Sequence, residues 1–221
     1  MSGENKRFAV TIGHELGSGG AQVGRLLAKK LGVPFVDRQI LHETAQALVV
    51  PEEELATREE RRDSFWQTFS RMELLSSPEA ASACGYYPSD RELFEMESRY
   101  IVRIAGESSA VILGRGGRFL LRDHPRHFSV FVHARPEDRV ARIRELYRLE
   151  EKEARRIMEK NDRERRSYAE TFTHENWIDA RGYDLCVNTS AVPPEEAVEL
   201  ICAALVFRFG KDVLPAPERK P

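Results

Sequence analysis

Residues 8–24 read FAVTIGHELGSGGAQVG. Phe8 to Ile12 is a short, β-branched apolar run that ends at Gly13, and Val23, Leu26, Leu27 and Leu31 then recur at i, i+3, i+4 and i+8 before Gly32. The first pattern is that of a buried strand, the second that of one buried helical face. Between them lies a glycine-rich loop. Glycines at 17, 19 and 20 let successive backbone N–H groups turn inward around an anion at the helix start, where the helix dipole adds its field. Gly17, Ser18, Gly19, Gly20, Ala21 and Gln22 are therefore the candidate anion-binding residues.

Outward from this unit, a second short strand, Pro34 to Val36, ends in Asp37 and is followed by a helix-like stretch, Arg38 to Val50. From Pro51 to about Gly106 the composition is mostly helical, broken near Ser76 to Pro78 and by CGYYPSD at Cys84 to Asp90. This reads as an inserted helical region at about 38–107. The alternation then resumes with Ala110 to Leu113, ending in Gly114-Arg115-Gly116-Gly117, and with Phe128 to His133. Pro136, Glu137 and Asp138 open the next helix, with proline in the first turn and acids at its positive end. A charged stretch from Glu150 to about Glu175 leads to a last strand, Asp184 to Asn188, and a helix whose face is Val198, Ile201, Cys202 and Leu205. Short apolar strands alternating with helices specify an α/β fold, a three-layer arrangement of a parallel sheet with helices on both faces. A single domain over residues 1–221 is expected, with a loose tail at 211–221. Ligands bind at the carboxyl ends of such strands, so the loops after Ile12, Val36, Leu113 and His133 matter most.

At 221 residues, 41% of them apolar, the chain is long enough to bury a full core, which excludes a mini-protein or a disordered tail. The longest apolar run, Leu200 to Phe207, has eight residues, far short of the roughly 20 needed to cross a bilayer. With a polar start, MSGENKR, the expectation is a soluble, cytoplasmic protein without a membrane partner. Cys84, Cys186 and Cys202 are odd in number and have no CxxC spacing, which argues against a disulfide framework and a zinc site. His124 and His127 bracket a proline in a predicted loop, and no metal site is expected there. Trp66 and Trp177 read as packing residues. A net charge of −2 argues against generic nucleic-acid binding. The basic residues are 27 arginines and seven lysines, with no lysine between Lys30 and Lys152. Arginine's planar fork suits phosphate, although GC-rich coding produces the same bias.

Against the phosphate-loop pattern GxxxxGK[ST], with Gly19 as its second glycine, His14 stands at the first glycine, Gly20 at the lysine and Ala21 at the hydroxyl residue. Backbone cradling survives these replacements. The cation on the transferred phosphate and the magnesium ligand do not.

The stretches TIGHELGSGGAQVGRLLAKKLGVPFVDRQIL, VILGRGGRFLL, FSVFVHARPEDRVARI and YDLCVNTS, in that order, resemble the cytidylate kinase-like proteins, relatives of the nucleoside monophosphate kinases. The resemblance runs from Thr11 to about Ile201 and is weakest across the helical insert. It implies a P-loop NTPase fold of the nucleoside monophosphate kinase type, with an acceptor-binding insert and an arginine-bearing lid at about 148–178. It also implies ATP with Mg2+ as donor and CMP or dCMP as acceptor, hence small nucleotides as partners, with no oligomeric state implied. Glycine at the lysine position is usual in this branch. Such members often carry arginine where this chain has His14 and again where it has Ala21, so two positive charges beside the phosphates are missing here.

Arg115 follows a core strand, is flanked by glycines and matches the arginine that contacts the monophosphate in the family, where the next residue is commonly aspartate rather than Gly116. Its plainer alternative is a helix cap or an ion pair with an acid. Arg115→Ala is expected to weaken acceptor binding and leave the melting temperature nearly unchanged. Asp37 ends the second strand where the family has an aspartate near the acceptor, the alternative being a cap or a pair with Arg38. Arg139 and Arg142 lie three apart on one side of a helix, away from Val140, Ile143 and Tyr147. Arg163 and Arg166 repeat the spacing in NDRERRSY, which resembles the family's lid, with Arg165 an equally eligible neighbour. These four arginines are expected to converge on the phosphates as built-in arginine fingers, the alternative being solvated helix faces. No general base is needed, because the acceptor phosphate is already an anion. The leading expectation is ATP-dependent phosphoryl transfer to a nucleoside monophosphate. A nucleotide-binding module with lost or weak turnover and a kinase for another small phosphate acceptor are the alternatives.

Overall fold

A computed structural model describes residues 6–37 and 90–215. The stretch from Arg38 to Val50 and most of the expected insert lie outside the described residues. Five strands are described: β1 (Ala9–His14), β2 (Phe35–Val36), β3 (Ala110–Leu113), β4 (His127–His133) and β5 (Leu185–Asn188). The helices are α1 (Gly20–Leu31), α2 (Asp90–Glu107), α3 (Gly117–Leu120), α4 (Pro136–Tyr147), α5 (Glu151–Thr173) and α6 (Pro194–Phe209). The strands form one parallel sheet in the order β2-β3-β1-β4-β5.

The period of two along each strand divides the core into two layers. Phe8, Val10 and Ile12 join Val111, Phe128, Val130, Val132 and Val187 on one face, against Val23 and Leu27 of α1 and Ile201 and Leu205 of α6. Ala9, Ala110, Ile112 and Val36 face the other way, against Ile101 and Ala105 of α2. Full burial of a side chain such as Leu27 or Leu205 contributes about 1.5–3 kcal/mol each, so the α1–β1 unit is anchored from behind. A smaller cluster joins Val140 and Ile143 of α4 to Ala154 and Met158 of α5, and Leu16 of the first loop packs onto it.

Differences from the sequence expectation follow from tertiary pairing. β1 runs two residues past Ile12 because Gly13 and His14 pair with Phe131 and Val132 of β4. The charged stretch forms one continuous helix, α5, whose inner face holds Ala154 and Met158. The tail is packed, not loose, at its start: Lys211–Val213 form a 3-10 turn, Val213 is buried in the α1–α6 cluster and Asp212 pairs with Arg126. Among the described residues no helix is long and apolar enough to cross a membrane.

Candidate functional site

The first loop leaves β1 at His14 and enters α1 at Gly20, with left-handed φ of 80° at Gly17 and 78° at Gly19. Its carbonyls are engaged from outside. Arg139 Nε donates to Leu16 O at 2.7 Å, Arg142 Nη1 to Gly17 O at 3.3 Å and Thr189 Oγ1 to Ser18 O at 2.6 Å. Ser18 is buried, and its hydroxyl donates to Val132 O at 3.0 Å. Holding the Leu16 and Ser18 carbonyls turns the N–H groups of Gly17 and Gly19 to the opposite side, while Ser18 N donates to Glu15 O at 3.1 Å. The amides of Gly17, Gly19, Gly20 and Ala21 have no acceptor among the described residues, and α1 has no side-chain cap. This is the geometry of an anion cradle. Gly17 is required twice over, because a Cβ there would also lie 2.6 Å from Arg139 O. Ala21 brings no polar side chain, and Gln22 is turned to α6, where its amide donates to Glu195 at 3.1 Å.

The structure brings Arg139 and Arg142 to this loop, but as its supports. The Arg139 side chain is only 4% exposed and spends its donors on Leu16 O, on both carboxylate oxygens of Asp162 at 2.7 and 2.9 Å, and on Glu15 at 3.2 Å. Arg142 also binds Thr189 Oγ1 at 3.0 Å and Thr189 O at 2.7 Å. The expected convergence of four arginines is not what the helices provide. Arg163 and Arg166 are exposed, and Arg166 lines an open cleft of about 520 Å³ with Glu170, His174 and Glu175. At about 100° per residue, the inner face of α5 passes through Met158, Asp162 and Arg165 instead. Arg165 donates to the His14 carbonyl and its second terminal nitrogen lies 3.2 Å from His14 Nε2. The helical phase of Ala154, Met158 and Asp162 was the sequence signal that selects Arg165.

His14 itself is held neutral. Burial, then the guanidiniums of Arg165 and Arg139, push its pKa well below the usual imidazole value. A guanidinium only donates, so Nε2 accepts and the proton sits on Nδ1, which is buried and has no partner among the described residues.

The second loop follows β3. Gly114, Arg115 and Gly116 all have positive φ, of 71°, 55° and 67°. Arg115 Nη2 lies 3.5 Å from Glu97 Oε1 of α2, and its guanidinium is 5.3 Å from the centre of the Tyr168 ring of α5. The Tyr168 hydroxyl donates to Glu97 Oε2 at 3.4 Å, and burial raises this phenol to about 12. Glu97 is 4% exposed, so the Arg115 partner is a buried carboxylate and not a surface acid. This revises the expectation for Arg115→Ala: removing the cation takes one partner from the buried Glu97 carboxylate, and stability should fall. Asp37, nearly buried at the end of β2, is 3.7 Å from Arg25 of α1, while Arg38 lies outside the described residues.

The two loops are neighbours. Ile12 is in register with Leu113 and Gly114 N donates to Ile12 O at 2.9 Å, so both loops leave the same end of the sheet, the first two residues farther along its strand. Sequence reasoning missed Thr189, Glu97 and Tyr168, which hold these loops. A polyphosphate fits the first cradle. Ala21, at the hydroxyl position of the phosphate-loop pattern, carries no oxygen ligand, and among the described residues there is no group of three or more His, Cys, Asp or Glu that could hold a metal ion.

A family model described as the cytidylate kinase-like family matches residues 9–191. The chain belongs to the cytidylate kinase-like family. Among solved structures, an uncharacterized protein from Eubacterium ventriosum ATCC 27560 aligns with a TM-score of 0.68 and 23% identity, over 90% of this chain and 98% of that chain. A shikimate kinase from Bacteroides thetaiotaomicron aligns at 0.49 and 16%, over 90% and 98%. A gluconokinase from Sinorhizobium meliloti 1021 aligns at 0.49 and 17%, over 95% and 97%. The first of these likenesses concerns the fold alone, and it fits the parallel α/β sheet of this cytidylate kinase-like chain. No curated protein is a significant match.

Proposed function

We propose that this cytidylate kinase-like protein transfers the γ-phosphoryl group of ATP to a nucleoside monophosphate, with CMP or dCMP as acceptor. The observation that carries the reading is the adjacency of an amide cradle and an arginine loop on paired strands β1 and β3. The strands that carry them are neighbours about 4.8 Å apart, so a donor polyphosphate and an acceptor phosphate would meet at the same end of the sheet. Within the stretch Gly17 to Gln22, the main-chain amides of Gly17, Gly19, Gly20 and Ala21 hold the donor. Arg115 holds the acceptor phosphate, with Asp37 at the end of β2 on the same side. Arg139 and Arg142 fix the loop that holds the donor. An acceptor phosphate oxygen forms the new bond to the γ-phosphorus as the bond to the β-phosphate oxygen breaks, and ADP leaves. The transition state is loose and highly charged, so positioning and neutralisation supply the acceleration. Mg2+ supplies charge neutralisation on the ATP phosphates. With Ala21 in place of a hydroxyl residue, the loop offers it no ligand.

A second reading, a nucleotide-binding module with weak turnover, is favoured by Gly20 and Ala21 in the loop and by the neutralisation of Arg115 by Glu97. An ADP-release assay with CMP, dCMP, UMP, AMP and GMP separates the two. Turnover on the cytidine nucleotides is expected. Nucleotide binding without ADP formation would select the module, and ATP binding with no affinity for any monophosphate would select another phosphate acceptor.

A further inference from the structure

We propose that Arg165 is the cation of the first loop, standing in for the lysine that Gly20 displaces, and that His14 is the residue that positions it. The proposal rests on the reading of that loop as a polyphosphate site.

The argument begins at Gly20. A Cβ at this position would overlap the His14 Cβ and lie 2.6 Å from its Cγ and 3.0 Å from its Cδ2. The His14 Cβ, the nearest of these atoms, therefore stands in the corridor through which any side chain at position 20 would leave the helix, and the imidazole fills it further. A lysine at 20 and any side chain at 14, histidine included, exclude each other, so the two departures from the phosphate-loop pattern are one coupled change. His14 then provides what the lysine would have needed, a seat for a cation at the loop entrance. Its carbonyl and its Nε2 both receive Arg165. A charged imidazole would repel that guanidinium, and the buried, neutral ring does not. Its Nδ1–H, without an acceptor among the described residues, is one more donor beside the cradle.

Because Arg165 belongs to α5, the loop gains its cation only when that helix is docked. The same helix meets the loop's support one turn earlier, where Asp162 takes Arg139, and meets the acceptor loop one turn later, where Tyr168 lies over Arg115. A single helix thus carries the cation of the donor site and the aromatic wall of the acceptor site. A loop lysine would be present whether or not α5 were docked.

The test is calorimetric titration of the full chain with ATP and with inorganic pyrophosphate. Arg165→Ala should weaken both by about 10- to 100-fold, the scale of losing charge-assisted hydrogen bonds. Adding Gly20→Lys alone to Arg165→Ala should not restore binding, because His14 still blocks its path. Adding His14→Gly together with Gly20→Lys should restore it to within a few-fold of wild type. The triple variant lacks Arg165, so its binding reports only whether a loop lysine fits once His14 is gone. Urea unfolding of Arg165→Ala tells the roles apart: a phosphate cation leaves the unfolding midpoint at the wild-type value while affinity falls, and a loss of stability that accompanies the loss of affinity would overturn the proposal. Wild-type affinity in Arg165→Ala, rescue by Gly20→Lys with His14 present, or no rescue in the triple variant would each overturn the proposal. A wild-type chain that binds neither ligand would overturn the functional reading first and this inference with it.

Discussion

The first loop, Glu15 to Gly19, and the second, Gly114 to Gly116, follow the paired strands β1 and β3, yet they are made of different materials. The first carries no cation of its own. Its glycines set the turn, and donors from Arg139, Arg142 and Thr189 hold its carbonyls outward. The second carries its cation in Arg115, already balanced by the buried carboxylate of Glu97. A site made of backbone depends on distant supports and is sensitive to backbone strain. A site made of one side chain depends on the charge placed behind it.

Removing the side chain tests the second arrangement with the largest expected effect. Arg115→Ala should raise the acceptor KM by about 100-fold and lower stability by about 1–3 kcal/mol in urea unfolding, because Glu97 stays buried without its cation. Adding Glu97→Gln to it should recover part of the stability and none of the affinity. An unchanged melting temperature in Arg115→Ala would break the comparison.

Backbone strain tests the first. Gly17→Ala should cost about 2 kcal/mol, since φ is positive and Arg139 O crowds the new Cβ. Gly114→Ala, equally positive in φ but with nothing within 4 Å of its Cβ, should cost about 1 kcal/mol. Equal losses would mean that the supports around the first loop do not crowd it.

Acid tests the histidines at the two ends of the sheet, His127 at the start of β4 and His14 at the end of β1. Burial lowers the His127 pKa to about 4, and its Nε2 lies 2.8 Å from Thr11 Oγ1. Between its unfolded value of about 6.5 and pH 4 the unfolded chain binds the extra proton, so stability falls as pH falls through that window. Comparing urea unfolding at pH 7 and pH 5 should show His127 contributing about 1–2 kcal/mol of the loss, a share removed by His127→Gln. His14, also depressed, should leave a remaining slope. A flat profile in the His127→Gln variant would contradict the neutral assignment of His14.

The smallest effects belong to the outer flank of α5. Arg163→Ala and Arg166→Ala should each change stability by less than about 0.5 kcal/mol and leave the ATP KM unchanged, as expected of exposed side chains. A tenfold rise in the ATP KM would return them to the phosphate site.

The sheet was legible because its strands are short apolar runs cut by glycine, and because Val23, Leu27 and Leu31 keep a strict helical face. The turns of the first loop were legible from its glycines, and the place of Arg115 after β3 from the glycines on either side of it. The supports were not. Glu97 is one acid among several on a charged helix, and Thr189 sits in Asn188-Thr189-Ser190, which looks like a glycosylation sequon without consequence. Arg165 and His14 are 151 residues apart, a pairing that only the packing of α5 makes. The expectation of four converging arginines counted charges by spacing, where the helical phase set by Met158 and Asp162 selects the one that turns inward.

Amide NMR of the 15N-labelled chain titrated with ATP tests the loop most directly. The account predicts saturable shifts at Gly17, Gly19, Gly20 and Ala21 that exceed those elsewhere in the sheet. Saturable binding that leaves these amides unmoved would contradict it.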